Sequence, residues 1–232
     1  MTQPLSILDF DRSISLALNG SHSLFWDNLM MVLTNTFAWS ILIIMLLYVI
    51  FRNNSPKDAL MIILTIGLMI FVMDRICSGI VKPTVARWRP ASDPLLMRVI
   101  DTVRDYRSHK YGFFSGHASN TMCVAMFLSL LFRYRKLSVI LFLWAFIATY
   151  TRIYLGVHYV GDITVGFIVG GFIGFLFYHL YYRLSKREMF SHRNSDQFTR
   201  SGYIKSDLDR FICVIFFNYL LMIIISLFWG IS

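Results

Sequence analysis

The chain has 232 residues, of which 56% are hydrophobic and only 15% charged, and its mean hydropathy is +0.60; a soluble domain would carry roughly a quarter charged residues and is excluded. Twenty-one Phe, twelve Tyr and twelve Met against five Pro also exclude a disordered or collagen-like chain. Lys and Arg outnumber Asp and Glu by 22 to 13, a formal charge of +9, which in so apolar a chain points to the anionic lipids of a bilayer rather than to nucleic acid.

In chain order, residues 1–28 come first. They place Asp9 and Asp11 where a signal peptide would have a basic region, so no cleaved signal is expected. Ile7, Phe10, Ile14, Leu16 and Leu18 alternate with Asp and Arg, which predicts a short helix lying in the membrane interface. Six apolar runs follow at about 29–51, 60–81, 113–132, 137–155, 163–182 and 211–231, each near the roughly 17 to 25 residues that a bilayer needs. The expected fold is all-α, a polytopic membrane helix bundle with about six transmembrane helices and a short interfacial N-terminal helix. Cys77, Cys123 and Cys213 lie in these runs without CxxC spacing and read as buried thiols.

Basic residues in short connectors stay cytoplasmic. One side of the expected bundle collects twelve, among them Arg52, Arg133, Arg183 and Arg210; the other collects nine, from Arg12 to Arg152. If chemistry holds several of the nine in place, the segments 82–112 and 152–162 and both termini face outward. The connector 183–210, with seven bases, is then a cytoplasmic loop near anionic headgroups.

Three islands on that outer side break the apolar pattern. The first runs from Lys82 to Pro90. Seven residues, about two helical turns, separate Lys82 from Arg89, so both cations can meet on one face; alone, the island reads equally as a headgroup-binding cluster anchored by Trp88. The second, Phe113 to Ser119, offers Ser115 as an N-cap, Gly116 for close backbone approach and His117 in the first turn, where free N–H groups attract an anion. The third, Thr151 to Asp162, sets Asp162 four residues after His158, so that it can hold one imidazole nitrogen and leave the other as a nucleophile. Arg152 at a span end needs a partner, and pairing it with Asp162 is the plain alternative. Asp74 and Arg75, within the second span, line the floor of the same pocket or pair with neighbours.

Three cations, a helix N-terminus and two histidines suit a phosphate group. No HExxH, CxxC pair, carboxylate cluster or GxxxxGK[ST] loop supplies a metal or nucleotide site, so no cofactor is expected and the cations take over charge stabilisation. His158, oriented by Asp162, attacks phosphorus, His117 protonates the leaving oxygen, and a phosphohistidine links the two half-reactions.

The motifs Lys82-x6-Arg89-Pro90, Ser115-Gly116-His117 and Arg152-x5-His158-x3-Asp162 resemble the three signatures of the type 2 phosphatidic acid phosphatase (PAP2) superfamily, which includes lipid phosphate phosphatases and vanadium haloperoxidases. The resemblance implies a helical, metal-independent enzyme. In it Lys82, Arg89, Ser115, Gly116 and Arg152 hold the phosphate, His117 is the acid, His158 the nucleophile and Asp162 its partner. Phe114 stands where the family usually has Pro, and Thr151 where it has Ser. The expected division is an interfacial segment 1–28, a catalytic membrane domain 29–182, a basic connector 183–210 and a C-terminal helix 211–232.

The expected substrate is a phosphorylated membrane lipid, hydrolysed at the outer, periplasmic leaflet of the inner membrane. Arg98, Arg104, Arg107 and Lys110 in the loop after Pro90 are candidates for a second phosphate, which favours undecaprenyl diphosphate or a lipid A phosphate over phosphatidylglycerophosphate or phosphatidic acid; nonspecific headgroup binding is the other reading. A vanadate-dependent haloperoxidase and a non-catalytic phospholipid binder or transporter are the competing classes.

Overall fold

A chain that crosses a bilayer must satisfy its backbone hydrogen bonds within the segment, so the apolar runs have to become helices. A computed structural model describes residues 6–21, 23–185 and 196–229, and among them every extended element is helical. Helix α1 (Ile7–Ala17) starts at Ser6, whose hydroxyl accepts from Asp9 N, and leaves Ile7, Leu8 and Phe10 exposed beside its polar face. His22, residues 186–195 of the connector and the last residues of the run 211–231 lie outside the described residues.

The run expected as one span at 29–51 is divided. Helix α2 (Leu24–Thr34) stops at Asn35, a 3-10 turn covers Thr36–Trp39, and α3 (Ser40–Asn53) resumes the climb. The interruption carries its own hydrogen bonds: the Asn35 side chain accepts from Phe37 N at 3.0 Å, and the Trp39 indole donates to Leu33 O at 3.0 Å. Both pieces run antiparallel to α9 (Lys205–Phe228), with Arg52 on Asp207, Asn218 on Ala38 O and Asn28 on Ser226 O. Together they make one crossing. Hydropathy cannot show the break, because α2, the turn and α3 are all apolar; α2 also begins ahead of the boundary expected after residue 28.

Pro56 at the first position and the Ser55 cap start α4 (Pro56–Asp74), which continues through a π-helical stretch, Arg75–Val81, into α5 (Lys82–Val85). Helices α6 (Gly116–Phe132), α7 (Arg135–Tyr154) and α8 (Val160–Ser185) follow. Among the described residues five stretches are long and apolar enough to cross a membrane, and α6, at 17 residues, is at the short end of the spanning range. With α6 counted, the candidate crossings among the described residues are six, the number expected from hydropathy.

Helix α8 presents Gly166, Gly170 and Gly174 to α6 at four-residue spacing. A Cβ on Gly166 would lie 2.9 Å from Ser115 O, and Cβ atoms on Gly170 and Gly174 would collide with Ser119 O and Cys123 O. The two backbones therefore touch, the small-residue contact by which helices associate in lipid. This contact sets the start of α6 against the start of α8. Cys77 and Cys123 are buried, but Cys213 is exposed, because an apolar run in a membrane protein has a lipid-facing side as well as a core-facing one.

Polar side chains gather at the two ends of the bundle. At one end Arg52 and Asn53 bond Asp207, Tyr203 pairs with Asn54, and Tyr134 donates to Asp209 at 2.6 Å. The other end holds α1, the segment 86–115 and the α7–α8 junction.

Gly170→Ala is expected to cost about 1–3 kcal/mol and to lower the thermal midpoint in detergent by roughly 2–12 °C. Gly67→Ala, where nothing lies within 4 Å of the added atom, should leave the midpoint unchanged or raised. Equal midpoints for both variants would contradict the close α6–α8 contact.

Candidate active site

Helix α7 ends at Tyr154, and the chain turns back through Gly156, whose φ of +66° is left-handed, so that Val157 N and His158 N both donate to Arg152 O. The turn drives the His158 ring inward, where it is 3% exposed. Helix α8 begins only at Val160, so His158 stands just ahead of the helix rather than inside it. Asp162, in the first turn of α8, reaches back and accepts from Tyr159 N at 3.1 Å through Oδ2, a capping interaction. The same oxygen lies 3.2 Å from His158 Nδ1.

On its other side the imidazole meets Arg89, whose Nη1 is 2.9 Å from His158 Nε2 and also donates to Val157 O at 2.8 Å. A guanidinium only donates, so Nε2 is the acceptor and Nδ1 carries the proton towards Asp162. The ring thus holds a lone pair on Nε2. Burial, then the charges of Arg89, Arg152 and Lys82, and then His117, hold the His158 pKa well below its usual 6.5. All three expected cations and the second histidine therefore act on one ring. Burial, followed by the nearby Arg152, lowers Arg89 to about 10, and it remains a cation at neutral pH.

The second island arrives through Ser115, whose N donates to Asp162 O at 3.0 Å and whose hydroxyl caps Ala118 N. A Cβ on Gly116 would be 3.8 Å from Lys82 Nζ, so the start of α6 faces that ammonium. Lys82 in turn donates to Ser78 Oγ at 3.4 Å, and Ser78 donates to Asp74 at 3.2 Å, while Arg75 lies over the Phe71 ring. Arg152 Nη1 donates to Thr34 Oγ1 and, at 3.2 Å, to the Tyr106 hydroxyl. Among the described residues the buried Nε atoms of Arg89 and Arg152 find no acceptor. Buried charged donors without acceptors are costly, and an oxyanion would satisfy both.

Several expectations change here. Lys82 and Arg89 do not share a helix face: α5 stops at Val85, Ala86 is left-handed with φ 48°, and Arg89 enters from extended backbone, since Pro90 disfavours helix in the residue before it. Asp162 pairs with Arg87 rather than Arg152, through Nη1 to Oδ1 at 2.8 Å, and Arg87 also donates to Asp11 at 2.7 Å. The four loop bases are not brought into the cluster. Arg104 donates to Asn28, Arg107 pairs with Asp105, Lys110 sits over the Trp88 ring and Arg98 is exposed.

Arg87, Asp11, Tyr106, Thr34 and Gly112 were not singled out by spacing, since their partners are distant in sequence. A Cβ on Gly112 would lie 3.0 Å from Arg89 Cγ and 3.2 Å from Asp162 Oδ2. Phe114 and Thr151, the two departures, are both buried. Phe114 O accepts from Cys77 Sγ, and Thr151 keeps a hydroxyl, which donates to Ala148 O.

The family model described as the PAP2 superfamily matches residues 59–186. The chain belongs to the PAP2 superfamily. Among curated proteins, a lipid A 4'-phosphatase of Bacteroides thetaiotaomicron is 39% identical over 180 residues, covering 77% of this chain and 80% of the relative. A lipid A 4'-phosphatase of Porphyromonas gingivalis is 34% identical, covering 75% and 74%. Among solved structures, the transmembrane PAP2 type phosphatidylglycerolphosphate phosphatase of Bacillus subtilis has a TM-score of 0.57 at 22% identity over 78% of this chain and 89% of that one, a likeness of fold. This PAP2 protein is thus a multi-pass membrane helix bundle.

The lowered His158 pKa has a readable consequence. A free imidazole titrates near 6.5, so protons favour the unfolded chain: the stability tied to this group is complete above about pH 6.5 and declines as pH falls below it. In nitrogen-15 histidine spectra of the protein in detergent, His158 should stay neutral with its proton on Nδ1 from pH 8 to pH 6. A midpoint near 6.5 would contradict the buried, cation-flanked placement.

Proposed function

We propose that the protein removes phosphate from a membrane lipid through a phosphohistidine on His158, and that the 4'-phosphate of lipid A is its substrate. The observation that carries the chemistry is the His158 ring, fixed between Asp162 on Nδ1 and Arg89 on Nε2. The two lipid A 4'-phosphatases support the substrate, because each matches about three quarters of this chain. The chain is a PAP2-type lipid phosphatase.

The phosphoryl group lies among Lys82, Arg89 and Arg152, with Gly116 and the α6 N-terminus contributing N–H groups; these stabilise charge on the equatorial oxygens as it develops. Nε2 of His158 attacks phosphorus in line, the P–O bond to the lipid breaks, and His117 gives its proton to the leaving oxygen. Asp162 stabilises the ring as it becomes positive. Water then attacks the phosphohistidine, His117 takes a proton from it, and inorganic phosphate leaves. The four loop bases are left out of this site.

The site is assigned to the outer, periplasmic side of the inner membrane. The sequence assigns twelve basic residues to the opposite side, three of them outside the described residues, and of the nine on this side three are reserved for the phosphate. A phosphatidylglycerophosphatase B of Bacillus subtilis, 31% identical over 118 residues and 47% of this chain, keeps phosphatidylglycerophosphate as the second substrate reading.

In EDTA, purified protein should release inorganic phosphate from lipid A bearing a 4'-phosphate with a higher kcat/KM than from phosphatidylglycerophosphate or phosphatidic acid. His158→Ala should lower kcat by about a thousandfold or more, and His117→Ala by about a hundredfold or more. Full activity in His158→Ala would refute the mechanism; a preference for phosphatidylglycerophosphate would replace the substrate.

A further inference from the structure

The carboxylate of Asp162 has two oxygens with separate duties. Oδ2 takes His158 Nδ1 and Tyr159 N, and Oδ1 takes Arg87 Nη1 at 2.8 Å. Asp162 is 0% exposed, so rotation about its terminal bond would exchange these contacts within a buried setting. Arg87 is itself held. Its Nη2 donates to Asp11 Oδ2 at 2.7 Å, and its guanidinium lies 4.1 Å above the Tyr159 ring, whose hydroxyl donates to Asp93 at 2.7 Å. Arg12, next to Asp11 on α1, donates to the same Asp93 oxygen at 3.3 Å. Asp11 further accepts from Gly161 N at 2.8 Å and Ser15 from Val160 N at 3.0 Å, so α1 caps the first turn of α8, in which Asp162 sits.

We infer that Arg87 is a positioning residue of the reaction: its planar fork, braced by Asp11 of the N-terminal helix, fixes the Asp162 carboxylate so that Oδ2 keeps His158 in the Nδ1–H form, with the attacking lone pair on Nε2. The inference rests on the phosphohistidine reading above. Both terminal nitrogens of Arg87 are used on carboxylates and not on the phosphate site. It therefore acts on the attack step and not on substrate affinity. Two carboxylates in different segments call for the bidentate geometry of a guanidinium, which a lysine ammonium does not reproduce.

A double-mutant cycle on phosphate release from lipid A bearing a 4'-phosphate tests it. Arg87→Ala should lower kcat about 10- to 100-fold with KM within twofold, the scale usual for a group that orients a reacting ligand from behind. In an Asp162→Asn background the same substitution should change kcat by less than twofold, because the group it orients is already gone. Asp11→Asn should fall between wild type and Arg87→Ala. If Arg87→Ala does not purify as a monodisperse protein, Arg87→Lys carries the same comparison in both backgrounds. Wild-type kcat in the Arg87 variant, a raised KM at unchanged kcat, or an equal loss in both backgrounds overturns the role of Arg87 while the phosphatase reading stands. A wild-type protein that releases no phosphate overturns both.

Discussion

A carboxylate with no exposure is the demand around which this end of the molecule is arranged. Burying an unpaired charge is prohibitive, and removing one partner from a buried ion pair costs about 3–5 kcal/mol, so Asp162 must keep every partner it has. Its side chain meets Arg87, His158 and the Tyr159 amide, and its main-chain oxygen accepts from Ser115 N. One residue thereby joins the segment after α5, the α7–α8 junction and the start of α6. The histidine is oriented because the carboxylate is satisfied.

The second constraint comes from lipid. Irregular backbone inside a membrane protein persists only where its polar groups find partners. The chain departs from regular α-helix at Asn35, along Arg75–Val81 and between Tyr154 and Val160, and each departure lies beside the polar cluster. At the first, Thr34 closes α2 and offers its hydroxyl to Arg152. At the second, the widened turns bring Ser78 between Asp74 and Lys82. At the third, the return of the chain buries His158.

The crossings and the three polar islands were legible in the sequence, because hydropathy and short spacings report local structure. Asp162 four residues after His158 is such a spacing, and it survives although a helix cap, rather than continuous helix, joins the two. Pairings that close over long stretches were not legible. Arg87 lies 75 residues from Asp162 and 76 from Asp11, so among the nine bases expected on that side nothing local set it apart. The break at Asn35 was hidden for a different reason. Hydropathy counts apolar residues without regard to direction, and Trp39 supplies from a distance the hydrogen bond that Leu33 O loses from the helix.

The glycine stripe of α8 leaves α6 and α8 little freedom to move against each other. Where main chains interlock with no side chains between them, sliding or spreading α6 and α8 would break contact along several turns at once. The pair behaves as a rigid spine. The seam where Ser115 N meets Asp162 O is therefore set by main chain rather than by side-chain rotamers.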